Sequence, residues 1–125
     1  MKGDDISERL LTFAVRVMKL TSALPKSFVG RHIAGQLLRS GTGAGANYEE
    51  ARGAESRADF IHKLGVAWKE AREAWYWLRL VYKSQLVKPK RLEELLRESD
   101  ELSRILSRSQ MTAKRRDDRK PPPEE

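Results

Sequence analysis

Three groups of residues in this 125-residue chain have types and spacings that could do chemistry. The first is Ser40-Gly41-Thr42-Gly43-Ala44-Gly45-Ala46-Asn47, rich enough in glycine for its backbone N–H groups to cradle a phosphate. The second is Asp59-Phe60-Ile61-His62, a carboxylate and an imidazole one helical turn apart, the spacing that offers two ligands to a metal. The third is a pair of acid-free windows. No acidic residue stands between Glu8 and Glu49, a stretch holding Arg9, Arg16, Lys19, Lys26, Arg31 and Arg39. None stands between Glu73 and Glu93, which holds Arg79, Lys83, Lys88, Lys90 and Arg91. Cations without neighbouring carboxylates suit a phosphate backbone, which they bind by releasing its counterions.

The first two groups do not carry their chemistry through. A phosphate-binding loop of the P-loop type needs Gly-x-x-x-x-Gly-Lys-Ser/Thr after a strand, and here neither the lysine nor the strand pattern is present. Ser40, Gly41, Gly43 and Gly45 instead read as helical positions of low bulk that let a neighbouring helix come close. An interior glycine costs a helix about 0.8–1 kcal/mol relative to alanine, so close packing must return more than that. A carboxylate-bridged metal bundle needs the Glu-x-x-His motif twice, and the chain does not supply the second. His62 projects away from the apolar stripe of its helix, and His32 and His62 lie on different helices with no nucleophile at a diagnostic spacing. No metal, no cofactor and no catalytic residue is therefore expected. Glu70 and Glu73 share a polar side with Lys69 and His62 and read as an ion-pairing face, while Gln36, Ser40, Asn47 and Glu50 read as one polar network inside the bundle or a ring lumen.

The elements that must position these residues are helical. Hydrophobic residues make up 39% and charged residues 34% of the chain, with a net charge of +7 and no cysteine, so disulfides and thiolate chemistry are excluded. Periodicity predicts a first helix from Ile6 to about Leu24, started by an Asp5/Glu8 capping box and closed by Pro25. A second runs from near Ser27 to Arg52 with Gly53 as its stop, and a third from Ser56 to about Gln85. A fourth starts at Pro89 with Leu92, Leu95, Leu96, Ser99, Leu102 and Leu106 as its stripe, and the pattern fails after Ser107. Residues 1–107 thus form one domain, and residues 108–125, charged and ending in Pro121-Pro122-Pro123-Glu124-Glu125, a disordered tail. Short connections make the economical fold an all-α, antiparallel up-down-up-down four-helix bundle. That topology collects Lys19, Lys26, Arg31, Arg79, Lys83, Lys88, Lys90 and Arg91 at one pole. The other pole gathers Asp4, Asp5, Glu8, Glu49, Glu50, Glu55 and Asp59, offset by Arg9, Arg52 and Arg57.

The central segment resembles a bacterial four-helix-bundle family encoded by intervening sequences in 23S rRNA genes. The resemblance spans roughly Leu10 to Leu106 and is carried by Gln36-Leu37-Leu38-Arg39-Ser40, Ala46-Asn47-Tyr48-Glu49-Glu50, Ser56-x-x-Asp59-Phe60 and Lys69-Glu70-Ala71-Arg72-Glu73, followed by Tyr76-Trp77-Leu78-Arg79-Leu80. Gly43 and Ala44 depart from it, standing where the family often has serine and then a β-branched residue. The resemblance implies a ring-shaped homopentamer. It also implies a fold shared with the accessory variability protein of diversity-generating retroelements, which binds nucleic acid and a reverse transcriptase.

The residues speak to assembly independently. Phe60, Leu64, Ala67, Ala71, Leu78 and Tyr82 fill an inward stripe of the third helix, with Ile61, Trp68 and Trp75 beside it. Tyr76, Trp77 and Leu80 fall opposite, and Leu11, Val15 and Met18 widen the apolar side of the first helix, a surplus read as a homo-oligomer interface. Repeated around a ring, the basic pole makes a positive rim that attracts RNA or DNA with little base preference; the resemblance implies that it does so as an accessory to a partner such as a reverse transcriptase. The other reading is a structural or protein-interaction scaffold. No apolar run is long enough for a bilayer and the acidic N-terminus is unlike a signal peptide, so a cytoplasmic address is expected and no membrane partner.

Overall fold

A computed structural model describes residues 3–119, all of whose regular structure is helical: α1 (Asp4–Ala23), α2 (Phe28–Arg52), α3 (Arg57–Ser84) and α4 (Pro89–Asp118). Three of the boundaries follow from local chemistry. The Ser27 hydroxyl accepts from Gly30 N at 3.1 Å and the Ser56 hydroxyl from Asp59 N at 3.0 Å, each satisfying an N–H that a helix start leaves unpaired. Pro89 occupies the first turn of α4, where its missing N–H costs nothing. The start of α1 differs from the expected capping box: Gly3 takes the cap position at φ 93°, no side chain caps it, and Asp4 and Asp5 sit in the first turn. A positive φ is open to glycine at no steric cost, and the two carboxylates there meet the positive end of the helix dipole.

The packing is strongest between sequence neighbours, α1 with α2, α2 with α3 and α3 with α4, whereas α1 and α4 touch more lightly. Facing residues can be read off in order. Arg52 meets Asp4, Ser7 meets Glu49, Leu10 lies beside Gly45 and Val17 beside Gly41. Arg9 forks onto Glu98 at 2.6 and 3.1 Å and reaches Glu101 at 3.3 Å, and Arg16 stands 3.7 Å from Glu94, which ties α1 to α4. The hydrogen bond to Glu98 holds the Arg9 guanidinium above its already high pKa. Phe13, Leu10, Val17, Leu37, Leu64, Leu78, Leu92, Leu102 and Leu106 form the centre of the core, none more than 2% exposed.

The glycine stretch is helical throughout, within α2. A Cβ on Gly41 would stand 2.8 Å from a Val17 methyl, one on Gly43 2.9 Å from a Glu70 carboxylate oxygen and one on Gly45 3.4 Å from Leu10 Cβ, while Ser40 is fully buried. Gly65 repeats the device on α3, with Gln110 of α4 lying across it and donating to Ile61 O at 3.4 Å. Sequence reading did not single it out.

The fourth helix is longer than its apolar pattern. It continues eleven residues past the expected end at Ser107, to Asp118, so residues 108–118 are helix where a disordered tail is expected. Ala113 is buried there and Gln110 docks on α3, while arginine, lysine, methionine and alanine all favour the helix without burial. Residues 120–125 of that tail lie outside the described residues. The expected polar network also resolves into separate local bonds: Ser40 donates to Gln36 O and Asn47 to Gly43 O, Gln36 accepts from Arg39, and Glu50 pairs with Lys63. Serine and asparagine inside a helix reach the carbonyl one turn back more readily than a distant side chain.

Candidate nucleic-acid interface

The structure brings part of the predicted basic pole together. Lys88, Lys90 and Arg91 line a depression with Leu86 and Val87 of the α3–α4 connection and Ala23 at the end of α1. Arg79 and Lys83 lie farther along, in a groove between α3 and α4. Lys19, Lys26 and Arg31 are exposed on α1, the α1–α2 connection and α2, and line neither surface. None of these eight cations has a carboxylate within 4 Å among the described residues, whereas Arg9, Arg16, Arg39, Arg52, Lys63 and Arg104 all do.

The α3–α4 groove holds more than sequence reading assigned to it. Its upper part is lined by Trp75, Arg79, Tyr82 and Lys83 from α3 and by Arg97, Asp100 and Arg104 from α4; below, it continues through Trp68, Arg72, Ser103, Ser107 and Arg108. The Arg79 guanidinium lies 4.6 Å from the Trp75 ring centroid and that of Arg72 5.5 Å, both within cation–π range. Asp100 is the one acid among the described lining residues, and it is held by Arg104 at 3.1 and 3.2 Å. The face therefore carries a positive excess interleaved with two indoles and a phenol. Spacing could have revealed it: Arg72, Trp75 and Arg79 recur at three and four residues, and Arg97, Arg104 and Arg108 at seven and four, so each set occupies one side of its helix.

The length of α4 also corrects the expected polarity of the molecule. The pole meant to be acidic receives Arg108, Lys114, Arg115, Arg116 and Arg119 from the added turns, together with Asp117 and Asp118. Cations thus stand at both ends and along the face between them.

The apolar surplus divides. Leu11, Val15 and Met18 are exposed in one stripe of α1, and Tyr76 is 55% exposed. Trp77 and Leu80, expected on the outside, pack partly against the core; the Trp77 indole donates to Glu73 at 3.0 Å and meets His32 of α2 edge-on at 5.9 Å. The reason is that α3 packs against both α2 and α4, so it needs two apolar sides rather than one. Between α2 and α3, Arg39 bonds both Glu70 and Glu73. Burial nevertheless holds the Glu70 carboxyl above the usual glutamate range, with Arg39 pulling it down and Glu73 pushing it up. No metal-holding cluster of histidines and carboxylates occurs among the described residues. Nor is any described helix long and apolar enough to cross a membrane.

A family model described as 23S rRNA-intervening sequence protein matches residues 4–108. The chain belongs to that family. The match ends where the sequence-based fourth helix does, so the last turns of α4 lie beyond it. Among solved structures, the chain is similar to a crystal structure of a protein of unknown function from the S23 ribosomal protein family of Bacteroides thetaiotaomicron. The two are 41% identical over 81% of this chain and 94% of that one, with a TM-score of 0.74. No curated protein matches.

Proposed function

We propose that this family member is a non-enzymatic nucleic-acid-binding protein that holds an RNA or DNA strand along its α3–α4 face with little base preference. The observation that carries the reading is the Arg72–Trp75–Arg79 stack opposite Arg97, Arg104 and Arg108, a row of cations and flat rings with one paired acid among them. Guanidinium groups laid on a ring are held flat, so they meet phosphates with their edges and bases with their faces. Lys83, Lys88, Lys90 and Arg91 extend the positive surface toward the α3–α4 connection. In this reading the protein is an antiparallel bundle that forms a homopentameric ring in the cytoplasm and serves as accessory to a partner acting on the same nucleic acid, such as a reverse transcriptase. The exposed stripe Leu11, Val15 and Met18 supports self-association, and taken alone it favours the second reading, a scaffold with no nucleic-acid ligand.

One titration tests both. Fluorescence anisotropy with single-stranded RNA and DNA is followed against salt for the wild type, for Arg72→Gln/Arg79→Gln/Arg104→Gln, and for Leu11→Asp/Val15→Asp. We expect affinity to fall with salt, each lost phosphate contact to lower the log–log slope by about 0.7, and light scattering to show smaller particles for the Leu11/Val15 variant. Absent binding at low ionic strength, or binding unchanged in the triple variant, leaves the scaffold reading. Unchanged mass in the Leu11/Val15 variant removes the interface.

A further inference from the structure

At its lower end the α3–α4 groove shares Arg108 with a second cavity, of about 630 Å³, within the range of small-ligand sites. Four arginines line it: Arg52 from α2, Arg57 from the start of α3, and Arg108 and Arg116 from α4. Among the described residues no carboxylate does. Arg52 is engaged by Asp4 and Glu49, but Arg57, Arg108 and Arg116 make no ion pair among the described residues. Four guanidinium groups around one space repel each other, and an anion that enters it relieves that repulsion. Phe60, Leu64, Ile105 and Ala113 supply an apolar wall, and the half-buried Tyr48 hydroxyl stands at the rim by Gly3.

We infer that this cavity is a binding site for a phosphate monoester borne on an apolar body, and that its occupant is the terminal phosphate of the strand lying along the α3–α4 face. A monoester carries about −1.5 to −2 charges near neutral pH, against one for each backbone diester, so a cluster of unpaired guanidinium groups selects the end of a strand over its interior. The apolar wall receives the terminal nucleoside. Arg108, common to both surfaces, makes the passage from one to the other continuous. The strand as source of the phosphate rests on the nucleic-acid reading above; a free nucleoside monophosphate presents the same chemistry.

The experiment measures binding of four probes: one single-stranded RNA oligonucleotide with a 5′-phosphate, with a 3′-phosphate or with neither, and adenosine monophosphate. The protein is the full chain, as wild type, Arg57→Gln/Arg116→Gln, and Arg116→Gln alone, a position exposed enough to leave the fold intact; circular dichroism checks each. Arg108 is left in place because the face uses it. We expect one phosphorylated form to bind roughly tenfold more tightly than the unphosphorylated strand, and both variants to reduce that preference while keeping the affinity for the unphosphorylated strand. Equal affinity for all three oligonucleotides, with salt-dependent binding retained, overturns the end site and leaves the nucleic-acid reading standing. Binding of adenosine monophosphate, lost in the variants, without binding of any oligonucleotide keeps the monoester site but overturns the strand as its source and the nucleic-acid reading with it. Binding of no probe overturns both.

Discussion

Away from Gly65, the α1–α2 seam and the α3–α4 seam solve the same packing problem with opposite residues. In the first, Gly41 and Gly45 present bare backbone to Val17 and Leu10, and the helices close on each other there. In the second, Trp68, Trp75 and Tyr82 stand half-buried between the helices and hold open a groove whose walls are arginine and lysine. Small side chains spend the interface on backbone approach, whereas large amphipathic ones leave clefts and line them with their polar ends. The difference teaches where a ligand can enter: the small-residue seam closes on backbone, and the large-residue seam is where charge and flat surfaces meet.

Gly41→Val is the largest way to break that contrast. Its methyl groups would run into Val17, itself β-branched and unable to swing aside, and we expect a loss of about 2–3 kcal/mol in urea unfolding. Gly35 of the same helix has open space where a methyl group would stand, with nothing within 4 Å, so Gly35→Ala should instead gain about 0.8–1 kcal/mol. Equal effects of the two changes would mean that the seam is not tight. On the other side, Trp75→Ala removes the ring that Arg72 and Arg79 lie over and should weaken single-strand binding by about 0.5–1 kcal/mol, the worth of an exposed cation–π contact, with Trp75→Phe restoring part of it. Loss of stability without loss of binding would turn Trp75 into a packing residue.

The smallest expected effect lies between these seams, at Glu70 on the α2–α3 boundary. A carboxyl whose folded pKa exceeds its unfolded one favours the folded state while protonated, and this help is lost as pH rises through the folded pKa. Burial raises Glu70 in that sense, against the pull of Arg39. Glu70→Gln, permanently neutral, should therefore be at least as stable as the wild type at pH 7, with the difference shrinking as the solution is acidified toward the ordinary glutamate range. A wild type more stable than the variant at pH 7, with an advantage that fades on acidification, would show that the Arg39 ion pair outweighs burial.

Much of the fold was legible in the residues. Ser27, Gly53, Ser56 and Pro89 mark helix ends by chemistry confined to one turn, and the absence of a strand and of a lysine after Gly45 was enough to read the glycine stretch as helix. The end of α4 was not legible, because an apolar stripe reports burial and not helicity. From Arg108 to Asp118 the helix persists on propensity, with Ala113 and Gln110 as its anchors. The added turns bring enough positive charge to offset most of the acidity assigned to that end of the molecule. The start of α1 was misplaced for a similar reason: a capping box at Asp5 is locally sound, but Gly3 offers a backbone conformation that the box does not need.

By itself the sequence determined that the chain is helical, where its second and third helices begin, and that cations outnumber acids along two long windows, since propensity, capping and composition are local properties. Only the tertiary structure decided that Arg72, Trp75 and Arg79 face Arg97, Arg104 and Arg108 across one groove, and that Arg57 lines a cavity with three other arginines. Those facts depend on how far each helix extends and which sides of neighbouring helices meet, and the packing of the whole core sets both.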